Sequence, residues 1–356
     1  MFVAWRDLRF AKGRFALMGT VIVLITVLVG LLSGLTAGLG RENTSAITSL
    51  PADHLVFSAP AEGSEVSFTD SRLPERTLRD WAAVPGVRHA EPLGIATAKA
   101  AAGSRTAALS VFGVGSASRL APEGGRLGDG EAVLSEKAAE ALGVRAGGAL
   151  SLGGRTVRVS AVSGEGMYSH TPVVWTSLGD WRKLAGGSGG ATVLALSTTG
   201  GADLGAADKD LGTRTVTAAD ALTAIGSYSA ENGSLQLMRG FLFAISALVI
   251  GAFFTVWTIQ RSGDVAVLKA LGASTRYLLR DALGQAVVLL ALGTGLGTAL
   301  AAGVGAAVGG TVPFVLDPST VLVPALIMIA LGAVGAGLSI RRITSVDPLT
   351  ALGSAR

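Results

Sequence analysis

Few residues in this chain have the types and spacing that make or break bonds. There are no cysteines and only three histidines. His54, His89 and His170 stand at no metal-ligand spacing and G-x-S-x-G is absent, so neither a metal centre nor a nucleophile elbow is spelled out. G-x-x-x-x-G-K-[ST] is missing too, so the chain has no phosphate cradle and any nucleotide energy must enter from a partner. What remains is a docking motif, residues 261–281, "RSGDVAVLKALGASTRYLLRD". On a helix, Val265, Ala266, Leu268 and Leu271 form a small apolar face, Arg261 and Lys269 add charge, and Gly272 supplies a stop. Such a helix either docks in a groove of another protein or lies in a membrane interface.

Apolar walls flank that segment and define the architecture. The chain has 356 residues, 49% hydrophobic and only 15% charged, with 50 glycines, and a mean hydropathy of +0.54. This is a membrane-class composition. Four runs reach the roughly 20 residues that cross a hydrocarbon core. They are 15–39, 240–260, 282–310 and 321–340. The first is too long for a signal-peptide core and lacks a clear small-x-small cleavage site, so it reads as a retained anchor. Residues 41–235 carry 17 Lys/Arg and 20 Asp/Glu, while the rest of the chain carries 12 and 5. That basic excess lies beside the spans: Arg6, Arg9, Lys12 and Arg14; Arg261, Lys269, Arg276 and Arg280; Arg341, Arg342 and Arg356. The positive-inside rule then expects both termini, the coupling segment 261–281 and the tail 341–356 in the cytoplasm. It puts residues 40–239 and the loop 311–320 outside the plasma membrane. The pI of about 9.7 is a topology signal, not a nucleic-acid one.

Local patterns fill in the elements. Residues 1–14 space Phe2, Trp5 and Leu8 three apart, with Arg6, Arg9 and Lys12 elsewhere on the helix, as in an amphipathic helix lying in the interface. Gly30, Gly34 and Gly38 line one face of the first span, a spacing that lets another helix, including one of a second copy, approach closely. Span three repeats it with Gly293 and Gly297, and with Gly305 and Gly309. The outer domain reads as mixed α+β. "SEVSFTD" alternates as a strand would, "LPERTLRDWAAV" has helical spacing, and Gly153-Gly154 joins two alternating runs as a hairpin. "EAVLSEKAAEALGV" is a strand and then a helix capped by Ser135 and stopped by Gly143, and "MYSHTPVVWTSLGDWRKLAG" repeats strand then helix. From Thr217 a helix is expected to run into span two, with Gly226 and Gly233 as weak points.

The stretch "DVAVLKALGAST" resembles the signature of FtsX/MacB-type ABC transporter permeases, and the layout of one span, an outer domain and three more spans is similar over essentially the whole chain. Asp264 stands where that family usually has Glu, and Ala266 where it usually has Gly. The resemblance implies a four-helix membrane protein with a MacB-like α+β domain between helices one and two. It also implies a non-enzymatic subunit with no cofactor of its own, a homodimer in membrane lipid joined by two cytoplasmic ATPases that hold ATP and Mg. Asp264, Val265, Leu268, Lys269 and Leu271 are then the expected ATPase contacts.

"RDLRFAKGRFALMG", "SGLTAGLGRENTSAI", "MYSHTPVVWTSLGDW" and "ENGSLQLMRGFLF" are similar to the HrtB-type haem-export permeases, which draw haem from the outer leaflet. That resemblance implies one or two iron ligands near the outer end of a span. Glu231 and Met238, seven residues apart on one helix face, are the first expectation, followed by Glu42, Tyr228 and Tyr168. No metal other than haem iron is expected. His170 suits iron chemically, yet it lies in the outer domain, where a surface or core role is commoner. The other expectations are export of a lipid or antimicrobial compound, or an FtsX-like transmitter of motion to a cell-wall hydrolase.

Overall fold

The structure, a computed structural model, describes residues 12–122, 127–187, 189–260, 262–309 and 311–344. The expected interfacial helix (1–14) and tail (341–356) lie almost wholly outside the described residues. The chain divides into two compact units, Leu39–Gly233 and the remainder.

Among the described residues, the remainder is built on four helices long and apolar enough to cross a membrane. They run Lys12–Thr48, Gly226–Gln260, Thr275–Val308 and Pro318–Thr344. The first and third pack in register through their small residues. A Cβ on Gly293 would sit 2.8 Å from Ile22, one on Gly297 2.7 Å from Thr26, and one on Gly30 2.8 Å from Ala301. The partner numbers rise together, so the two helices run parallel. Helices two and four meet through Ser339, whose Oγ is 2.8 Å from Thr255 Oγ1. Residues 261–281 are not one helix. Ser262–Ala270 is helical and ends in a Schellman motif: Ala273 N–H donates to Leu268 C=O, Gly272 N–H donates to Lys269 C=O, and Gly272 has φ 95°. Ser274 then caps the third long helix, accepting from Tyr277 N–H.

Among its described residues, Leu39–Gly233 carries ten strands: β1 His54–Ser58, β2 Val87–Ala102, β3 Arg105–Val114, β4 Glu131–Leu134, β5 Ala149–Leu152, β6 Arg155–Val162, β7 Met167–Tyr168, β8 Thr171–Ser177, β9 Val193–Thr198 and β10 Thr213–Thr217. The order β10-β1-β9-β2-β3-β8-β4-β6-β5 closes on itself, because β5 also pairs with β2. Six strands thus form a closed ring filled by Leu109, Val111, Leu150, Val157, Val159 and Val174. Trp181 is pressed on it over Gly94 and Gly113, where a Cβ would lie 2.2 and 2.3 Å from that side chain. The open half, β10-β1-β9-β2, buries Val56, Leu194 and Leu196 with Trp81 and Ala207. A second cluster joins Phe57, Phe68, Phe112, Tyr168 and Trp175 to Ala46 and Ile47.

The β5–β6 hairpin turns on Gly153 and Gly154, both at positive φ. Ser135 and Gly143 cap the helix between them as their types require. Two expected elements differ. Ser64–Asp70 is a turn-rich loop, not a strand; Phe68 is buried and its N–H donates to Ala224 C=O, so the alternation reflects a loop facing the core. Thr217 ends β10, Asp220–Ala224 is a 3-10 turn, and extended Ile225 delays the second long helix to Gly226. Gly233 lies inside that helix.

Candidate functional site

A polar cluster of Leu39–Gly233 forms where a strand turn meets residues from the ends of two long helices. β7 and β8 are joined by the two-residue turn Ser169–His170, with Tyr168 paired to Thr171. Both turn residues are left-handed, at φ 49° and 60°. That is the I′ geometry favoured by hairpins, and each non-glycine residue in it costs about 1–2 kcal/mol. The neighbours hold the turn in place. Ser169 N–H donates to Asn43 C=O at 3.1 Å and His170 N–H to Glu42 C=O at 3.2 Å, while Ser169 Oγ is 2.8 Å from Ser227 Oγ.

The turn aims an imidazole between two carboxylates. His170 Nε2 is 3.0 Å from each carboxylate oxygen of Glu231, and Nδ1 is 3.8 Å from Glu42 Oε2. Lys137 Nζ donates to Glu42 Oε1 at 2.8 Å. Asn43, 1% exposed, donates to Glu231 Oε2 at 3.1 Å and accepts from Ser227 Oγ at 2.5 Å. Its amide nitrogen is also 2.8 Å from His170 Nε2. The side chains of His170 and Glu231 are 32% and 42% exposed, so both are accessible to a ligand. Chemically the cluster offers a carboxylate or an imidazole to one coordination position, with Glu42 behind the ring where a carboxylate orients a ligating histidine. Among the described residues no group of three or more acids and histidines is arranged to cage a metal ion.

Of the expected contacts, Glu42 and Glu231 come together here. His170, which sequence reasoning set aside, joins them. Tyr228 packs half-buried against the aromatic cluster. Tyr168 is 9% exposed, edge-on to Phe68 at 5.8 Å and Phe112 at 5.5 Å. Burial pushes its phenol above the ordinary range, so it stays protonated and serves the core. In the membrane unit, Met238 is exposed, as are Leu237, Phe241 and Ile245 on the same helix. Gly34 and Gly38 face Phe314 and the Pro313 carbonyl of their own chain. On the short helix Ser262–Ala270 and its end, Val267 and Leu271 are exposed and Leu268 and Lys269 are half-exposed. The side chains of Asp264 and Val265 lie outside the described residues.

Residues 15–214 match the family model of the MacB-like periplasmic core domain, and residues 237–348 that of the FtsX-like permease C-terminal. The chain is similar to a Staphylococcus haemolyticus protein named "hemin transport system permease protein HrtB", at 27% identity over 366 residues, with 99% of each chain covered. It is also similar to an "uncharacterized ABC transporter permease" of Mycobacterium bovis, at 28% identity over 373 residues and the same coverage. Among solved structures, the periplasmic region of MacB from Actinobacillus actinomycetemcomitans covers 53% of this chain and 98% of its own, with 14% identity and a TM-score of 0.37.

Proposed function

Because the chain belongs to the FtsX/MacB-type ABC transporter permeases, we propose that it is the membrane subunit of an efflux pump whose cargo is haem. The carrying observation is the end-to-end similarity to relatives named for hemin transport, at 25 and 27% identity. In this reading both termini are cytoplasmic and the protein is a homodimer joined by two ATPases. Those ATPases dock on the Ser262–Ala270 helix through Asp264, Val265, Leu268 and Lys269, and on Leu271 just beyond it. ATP-driven closure shifts the spans, and haem leaves from the outer leaflet.

The acid–imidazole cluster supports this cargo. Iron needs an oxygen or nitrogen donor that is accessible and held in place. Glu231 supplies the oxygen, His170 the nitrogen, and Asn43, Ser227 and Glu42 position them. Met238 is a separate candidate contact, from the exposed side of its span. The test is an absorbance titration of purified protein with haemin. A saturable Soret shift that weakens in Glu231→Ala and His170→Ala is expected. No saturable binding removes haem as cargo. A shift surviving Glu231→Ala, His170→Ala and Met238→Ala together removes the ligand assignment but leaves the cargo.

A further inference from the structure

Within the membrane unit, the first, third and fourth long helices line a small cavity of about 10 Å³ beside the Phe314 ring, room for about one water molecule. Thr26, Gly34, Ala301, Phe314, Thr320 and Pro324 are among its walls. Two polar groups in this apolar setting lack the partners their helices would ordinarily give. Thr26 is 2% exposed and its hydroxyl has no hydrogen-bond partner. Threonines in apolar helices usually bond the carbonyl four residues back, as Thr255 and Thr258 do, at 2.8 Å to Gly251 and 2.5 Å to Phe254. On the fourth helix, Pro324 lies inside the helical run and has no N–H to offer the Thr320 carbonyl one turn back.

Phe314 sits at this cavity on the connection between helices three and four. Its ring fills a notch that only glycines leave: a Cβ on Gly34 would lie 2.3 Å, and one on Gly305 2.2 Å, from ring carbons. Val315 N–H donates to Gly34 C=O at 3.1 Å, and Thr320 Oγ1 donates to Val315 C=O at 3.0 Å, so the backbone just after the ring is tied down on both sides. The ring itself is held by shape, on a loop anchored by its backbone, beside a cavity whose buried Thr26 hydroxyl has no hydrogen-bond partner.

We propose that Phe314 is a displaceable plug and that the notch it vacates, joined to this small cavity, is a binding pocket for a small flat apolar molecule bearing one hydroxyl, phenol being the simplest, with Thr26 as its polar contact. A buried hydroxyl left unpaired in an apolar wall favours a ligand that pairs it over one of equal size that cannot. The plug explains why glycine stands at 34 and 305 whatever the cargo of the pump is.

Because the chain has no cysteine, Thr26→Cys installs a single thiol as a reporter. In detergent-purified full-length protein, that introduced thiol should react with a charged methanethiosulfonate at least tenfold faster with Phe314→Ala than with Phe314, and Phe314→Leu should stay slow. Equal rates in all three overturn the plug. For the ligand, phenol should slow labelling of the same thiol saturably in the chain that keeps Phe314, so the test survives misfolding of Phe314→Ala. With Thr26 intact, phenol should also raise the unfolding midpoint more than toluene, and Thr26→Val should abolish the difference. No saturable protection, or a phenol preference unchanged in Thr26→Val, overturns the pocket.

Discussion

Substituting His170 separates its role in the turn from its role in the cluster. At φ 60° any residue with a Cβ carries the left-handed penalty, and glycine does not. His170→Ala keeps that penalty and loses the imidazole. His170→Gly loses the imidazole but relieves the turn, at the cost of a more flexible unfolded chain. The lost bonds to Glu231 belong to side chains 32% and 42% exposed, so they are discounted to about 0.5–1 kcal/mol. That loss is common to both variants. The difference between them is then the backbone term, about 1 kcal/mol in favour of glycine. For a cooperative unit of the size of Leu39–Gly233, about 1 kcal/mol moves the melting midpoint by about 2–4 °C. The assay is thermal unfolding of the purified protein, followed by near-ultraviolet dichroism of the outer-domain tryptophans. His170→Gly should melt above His170→Ala, while both lose haemin affinity equally. Alanine melting at or above glycine would refute the left-handed turn and the positioning argument built on it.

Three further outcomes are expected. Gly34→Ala puts a methyl 2.3 Å from the Phe314 ring, an overpacking cost of about 1–3 kcal/mol; adding Phe314→Ala should recover part of it, a non-additivity readable in melting midpoints. If the proposed docking holds, Leu268→Asp abolishes co-purification of the ATPase and leaves the melting midpoint of the permease unchanged, because Leu268 is half-exposed on the short helix Ser262–Ala270; an intact complex sinks the docking face. Tyr168→Phe should be nearly neutral near pH 7. Burial raises the Tyr168 phenol above its ordinary 10.0 in the folded state, so the folded protein holds a proton that the unfolded chain releases. Stability is therefore full below about pH 10 and falls as pH rises beyond it, and Tyr168→Phe should flatten that alkaline loss in a melting series.

The elements readable in the sequence are those whose cause is local. Gly153-Gly154 announces a turn because both positions need positive φ, and Ser135 and Gly143 bracket a helix for similarly local reasons. Ser64–Asp70 misleads because Val66 and Phe68 alternate with polar residues equally well in a loop whose apolar side chains face a core. Ser169–His170 carries no glycine or asparagine to announce it, and the partners that hold it in the left-handed region, the carbonyls of Glu42 and Asn43 and the Ser227 hydroxyl, are all distant in sequence. The cluster has the same origin, for Asn43 and Glu231 are 188 positions apart and meet only once the sheet is built. Glycine spacing falls between these cases. A four-residue repeat says that something approaches Gly30, Gly34 and Gly38 closely, but not what. In the fold the answer changes along one helix, from the Ala301 methyl to the Phe314 ring to the Pro313 carbonyl. The repeat that reads as a face for another helix meets one only at Gly30, and Gly34 and Gly38 are filled by a loop of the same chain. The glycine notch is therefore closed to any outside helix, and the apolar surface that remains is spread over all four spans, with Leu24, Leu248, Leu296 and Leu326 exposed among the described residues.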